Sequence, residues 1–172
     1  MFNLFDTFLG LPLHPLVVHA TVVFVPLAAL LVGVAAVWPA ARRRLAWWPP
    51  IVTLVALVSA QVAQESGERL EARVPDTPLV RAHAHLADGL SVFVFGLLVI
   101  SLVVTYLTRR SAPTQAERSR LARLVLPVAA VLGVALAAGT LVQVVRIGHS
   151  GAKAAWQQAA TTTPQPRRHE RD

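Results

Sequence analysis

The 172-residue chain has room for one domain, and at 55% hydrophobic, 15% charged and a mean hydropathy of +0.56 it is too apolar to clothe a water-soluble surface. Cysteine is absent, which excludes disulfides, thiolate zinc sites, iron–sulfur ligation and cysteine nucleophiles, so any metal would rest on histidine, carboxylate or amide. The net charge of +7 does not point to nucleic acid, because the sixteen Lys and Arg lie mostly between and after apolar stretches, where basic residues orient a membrane protein.

The opening segment, residues 1–13, carries Asp6 and no basic residue, so it lacks the n-region of a cleavable signal. Phe2, Leu4, Phe5, Phe8 and Leu9 fit either an apolar helical face lying in the outer interface or a frayed terminus. Four apolar stretches follow, Leu16 to Trp38, Leu45 to Gln64, Gly89 to Thr108 and Leu124 to Val145, each near the ~20 residues that cross a bilayer as helix. With their flanks they give spans of about 15–38, 48–66, 78–108 and 120–147 within a domain of residues 14–157. His14-Pro15, Trp48-Pro49-Pro50 and Thr77-Pro78 mark helix starts, and Pro26 and Pro127 predict kinks. The third helix is longer than a bilayer needs, so Leu79 to Asp88 should stand in or above the interface. The tail, 158–172, including His169, is polar, rich in proline and charge, and expected to be disordered.

Arg42, Arg43 and Arg44 after the first span, and Arg109, Arg110, Arg118, Arg120 and Arg123 after the third, place those loops in the cytoplasm. The expected fold class is therefore all-α: a polytopic membrane four-helix bundle with both termini extracytoplasmic, in a bacterial cytoplasmic membrane.

Ionisable groups inside spans are expensive and mark functional sites by default. At roughly 100° per residue His85 shares a strip with Gly89 and Gly96, and Asp88 lies one turn away, able to orient an imidazole. His19 is expected to seek a polar partner inside the bundle. His14 falls about 140° from His19 and reads as a helix-opening residue at the water boundary, and His83 is expected to look elsewhere. Gln64 and Gln143 end the strips of the second and fourth spans and read as interhelical hydrogen-bond partners. With His149 and Arg146 just past the fourth span, these groups all fall in the outer third of the bundle, which predicts one extracytoplasmic polar pocket.

Three motifs, G-L-P-L-H-P-L-V-V-H (Gly10 to His19), A-H-A-H-L (Ala82 to Leu86) and R-I-G-H-S-G-A-K-A-A-W (Arg146 to Trp156), resemble a family of uncharacterised four-span bacterial membrane proteins. The likeness runs from about Gly10 to Trp156 and departs from the commonest form at Ala20, where many relatives carry phenylalanine. The resemblance implies a fold and a polar signature of His14, His19, His85 and His149. Some relatives are fused to Rieske-type iron–sulfur domains, which implies electron transfer near the membrane surface.

The functional expectation is haem b, or another redox metal, held by His19 and His85, with His14 and Asp88 beside them and His149 and Arg146 near a propionate. The partner would be an extracytoplasmic redox protein or a quinone. One alternative is a zinc or copper ion on His19, His85 and His149. Another is a cofactor-free structural or accessory subunit, alone or as a homo-oligomer. No nucleophile elbow, H-E-x-x-H or phosphate loop is present, which argues against a hydrolase, and the apolar inner half offers an ion no continuous path.

Overall fold

The structure, a computed structural model, describes residues 7–8, 11–109 and 115–162, with side chains for 14–109 and 123–157. Of the apolar face expected near the N-terminus, Phe2, Leu4, Phe5 and Leu9 lie outside the described residues; β1 (Thr7–Phe8) pairs with β2 (Leu11–Pro12) in a two-residue antiparallel ladder, Thr7 opposite Pro12. Gly10 and Pro12 are poor helix formers and weigh against the helical alternative. The rest of the described chain is helix and turn.

Helix α1 (Leu13–Val37) runs through Pro26 without dividing. It stops where Trp38 precedes Pro39 and turns extended, φ −113° and ψ 100°, since a residue before proline disfavours the helical region. Pro39 has no N–H for the carbonyl of Ala35. Arg42, on the short helix α2 (Pro39–Leu45), makes up the loss: its Nε donates to Ala35 O at 2.8 Å and its Nη2 to Ala36 O at 2.7 Å. The axis then bends by 70° into α3 (Trp48–Glu71), which outlasts the expected span by a turn and more. Ala46 takes the bend with φ 52°.

The third expected span is two helices, α4 (Pro78–Asp88) and α5 (Leu90–Arg109), meeting at Gly89. Thr77 caps α4 by accepting from the Val80 N–H at 3.3 Å. The last helix, α6 (Gln115–Thr162), is 48 residues long and carries helix into the segment expected to be disordered. Residues 163–172, with His169, lie outside the described residues. Three stretches are long and apolar enough to cross a membrane, His14–Val37, Pro78–Arg109 and Arg123–Gln157, and the bent pair α2–α3 makes a fourth if counted as one.

Helix α1 packs on α3 and α6, and α5 packs on the same two. Lipid offers helices no hydrophobic reason to associate, so close backbone approach has to do it. The buried positions accordingly repeat every three and four residues and are small: Ala28, Ala29 and Ala36 on α1, Ala56 and Ala60 on α3, Ala129 and Ala137 on α6. Hydroxyls in the same seam donate within their own helix, Thr53 to Pro49 O at 2.6 Å and Thr140 to Leu136 O at 2.7 Å, so they can be buried without a partner across it.

At Gly133 a Cβ would lie 3.1 Å from Ala36 Cβ on α1 and 3.3 Å from Ile100 Cγ2 on α5, a close approach of three helices. Gly133→Val should therefore destabilise by ~1–3 kcal/mol, the usual penalty of overpacking. Thermal unfolding in mild detergent reads this directly, and lipid-facing Val131→Ala, at a position 70% exposed, should unfold with the parent.

Candidate functional site

The heptad seam fixes which polar residues face inward at the end of the molecule opposite the arginine-rich α2. On α1 the buried series Ala35, Ala28, Thr21 extends by seven more residues to His14. On α5 the series Val104, Leu97, Leu90 extends across the Gly89 break to His83. Both imidazoles are half-buried against a neighbouring helix.

The two contacts follow one design. His14 Nδ1 lies 3.1 Å from Ser66 Oγ and 3.1 Å from Ala63 O on α3, and its ring covers Gly67, where a Cβ would stand 3.1 Å from Cε1. His83 Nδ1 lies 3.0 Å from Ser150 Oγ on α6, and its ring covers Gly151, where a Cβ would stand 2.9 Å from Cε1. Each serine donates its own proton one turn back, Ser66 to Ala63 O at 3.1 Å and Ser150 to Ile147 O at 2.9 Å. A carbonyl can only accept, which puts the His14 proton on Nδ1, and assigning the Ser150 proton to Ile147 O puts the His83 proton there too. Among the described residues neither Nε2 has a hydrogen-bond partner.

Beneath the seats, two amides clamp the break between α4 and α5. Gln143 Nε2 on α6 donates to Leu86 O at 2.6 Å, and Gln64 Nε2 on α3 donates to Ala87 O at 3.1 Å. Ser91 Oγ joins them, 2.6 Å from Gln64 Oε1 and 2.5 Å from Gln61 Oε1. Gly89 admits Gln143, whose Nε2 would be 3.4 Å from a Cβ there. The two glutamines expected as interhelical partners therefore act as such, on the carbonyls that end α4.

The histidines expected to point inward do not. His19 is exposed on α1, its Nδ1 turned back to Pro15 O of its own helix. His85 is 84% exposed, with Asp88, itself exposed, 4.0 Å away. His149 and Arg146 are exposed on α6. Helix α1 packs on α3 and α6, not mainly on α4, so His19 and His85 stand on outward faces of separated helices. Among the described residues no group of three His, Asp or Glu could hold a metal ion, so His19, His85 and His149 do not form a three-histidine site within one chain.

The assignment of faces is inverted for a physical reason. Gly89 and Gly96 meet Gln143 and Leu136 of α6, and so mark the flank of the α5 contact and not its centre. At 100° per residue Gly96 is ~120° from Leu90 and His85 ~140°, just past that edge. His14, read as a helix-opening residue at the water boundary, and His83, expected to look elsewhere, are the half-buried pair. The missed signal was the chain's two Ser-Gly dipeptides, Ser66-Gly67 and Ser150-Gly151, each an acceptor beside a vacancy the size of a side chain.

Nitrogen-15 NMR of histidine-labelled protein at neutral pH should find His14 and His83 protonated on Nδ1. Ser150→Ala should release His83 from that tautomer and leave His14, which also has the Ala63 carbonyl, unchanged.

Neither a curated protein nor a solved structure matches the chain. A family model described as "Predicted membrane protein (DUF2231)" matches residues 10–164, a stretch that contains both histidine seats, the glutamine clamp and all of the apolar helices. The chain belongs to this family of predicted membrane proteins.

Proposed function

We propose that the protein is a four-span electron-transfer subunit of a bacterial cytoplasmic membrane whose extracytoplasmic end binds haem b through His14 and His83. The observation that carries this reading is a pair of half-buried imidazoles from different helices, each held through Nδ1 on a serine of a neighbouring helix. A hydrogen-bonded Nδ1–H fixes ring orientation and raises the basicity of the other nitrogen, which is what an axial ligand requires. The donor set is two imidazoles, which suits haem; zinc or copper would want three or four protein groups. When bound, haem b supplies one-electron transfer. The residues of this chain hold the rings against rotation and keep one face of each from water. The exposed His19, His85, His149 and Arg146 lie outside this pair and face the lipid or an extracytoplasmic redox partner or quinone.

Orientation rests on charge. Arg42, Arg43, Arg44 and Arg109 gather at the opposite end, which the positive-inside rule puts in the cytoplasm, and four spans then leave both termini outside.

A second reading, a cofactor-free accessory subunit, draws on the same bonds. Gln64, Gln143, Ser91 and both Nδ1–H groups are engaged in holding helices together, so the seats also serve as fasteners. The visible spectrum of the full chain, purified in mild detergent after expression with ample haem and recorded oxidised and dithionite-reduced, separates the two. The haem reading expects a Soret band that His14→Ala and His83→Ala each abolish and His19→Ala leaves in place. A colourless parent protein would overturn it in favour of the accessory subunit, and loss of the band on His19→Ala alone would return the ligand to the outward face.

A further inference from the structure

The end of the molecule remote from the histidines has chemistry of its own. A cleft of about 200 Å³ opens between α2, the Ala46 bend and the last turn of α5, lined by Arg42, Arg43, Ala46, Thr105, Thr108 and Arg109. Three guanidinium groups share it, and none of the lining residues is acidic. The sequence makes the imbalance deeper, since no Asp or Glu occurs anywhere in residues 7–64 or 89–116. Arg42 is turned toward the carbonyls that end α1 by Nε and Nη2. Arg109 is held over the ring of Trp47, 5.7 Å from its centroid. Burial lowers the pKa of Arg42, with the charge of Arg43 adding to the effect, yet a guanidinium stays protonated in proteins.

Like charges held this close are unfavourable unless an anion sits among them. The Ala46 backbone, at φ 52° and ψ −111°, is in a region a residue with a side chain avoids, and it is what folds α2 back over α5 to form the cleft.

Depth selects the anion. Trp38, Trp47 and Trp48 are all exposed at this end, and tryptophan collects where lipid headgroups meet hydrocarbon. On α5, Leu102 and Tyr106 are exposed beside Thr105 and Arg109, so apolar surface continues from the cleft toward the membrane centre. Basic clefts between helices at this level suit acidic headgroups.

We infer that this cleft binds the phosphate of an anionic phospholipid, with guanidinium groups on the phosphate oxygens and the acyl chains lying along α5. A free phosphate ion would satisfy the same cations, but it would not use the tryptophans or the apolar face.

The test uses the full chain in mild detergent. Phosphatidylglycerol, phosphatidylcholine and inorganic phosphate are titrated separately, with bound lipid counted by native mass spectrometry and occupancy followed by tryptophan fluorescence. Phosphatidylglycerol should bind about tenfold more tightly than phosphatidylcholine, in line with one or two screened charge contacts. The double variant Arg43→Gln/Arg109→Gln should bring the two lipids to parity with its unfolding temperature unchanged. Arg42 is kept because it also caps α1. Parity in the parent, or an undiminished preference in the variant, overturns the site. Displacement of phosphatidylglycerol by an equal concentration of inorganic phosphate overturns the lipid assignment in favour of the free ion.

Discussion

Backbone hydrogen bonds in hydrocarbon have no water to fall back on, and in this chain that requirement decides which side chains matter. Every interruption of a helix exposes carbonyls that something must satisfy. At Pro39 the missing N–H leaves Ala35 O open, and a guanidinium two turns on closes it. At Gly89 the carbonyls of Leu86 and Ala87 end a helix inside the packed region, and amides reach them from α6 and α3. The two repairs differ because the ends differ. A cation suits a helix C-terminus beside headgroups and water, where its charge is solvated, whereas a neutral amide avoids carrying charge between helices.

The same requirement explains the seam. With apolar side chains as content in lipid as against one another, helices gain by approaching until backbones and small side chains touch. Alanine and glycine along α1, α3 and α6 permit this, and buried threonines such as Thr53 and Thr140 are tolerated because they donate to their own helices. Where the seam reaches the histidine end, the small residues become Gly67 and Gly151, and the room they leave is filled by imidazoles from the adjacent helices. The histidine seats are thus a continuation of ordinary packing into a zone polar enough to hold a ring nitrogen.

This continuity shows what the sequence could and could not reveal. The apolar stretches, the proline-marked helix starts and the roles of Gln64 and Gln143 were legible, because length, hydropathy and local punctuation carry them. The inward faces were not: on the third helix the glycine strip marks the flank of a contact and not its centre, and on the first the tendency of an imidazole to seek a polar partner does not fix a face. In α5 the glycines sit on the flank against α6, while Leu90, Val94 and Leu97 form the centre, and counting back by seven from those leucines lands on His83 and misses His85. Likewise His14 continues Thr21 and Ala28, while His19 does not. The division at Gly89 and the bend at Ala46 depend on bonds to residues far along the chain, which no local pattern encodes.

The two Ser-Gly seats also bear on how the molecule is organised. One joins α1 to α3 and the other joins α4 to α6, so each pins a helix to the one that follows the next turn of the bundle, with sequence separations of 52 and 67 residues. Either nitrogen of an imidazole can donate to a serine or a carbonyl. Here both rings use Nδ1 on the serine and lay the ring edge over the glycine that follows it. The same histidine-on-serine-glycine arrangement, used twice at one end of the bundle, fastens α3 to α1 and α6 to α4.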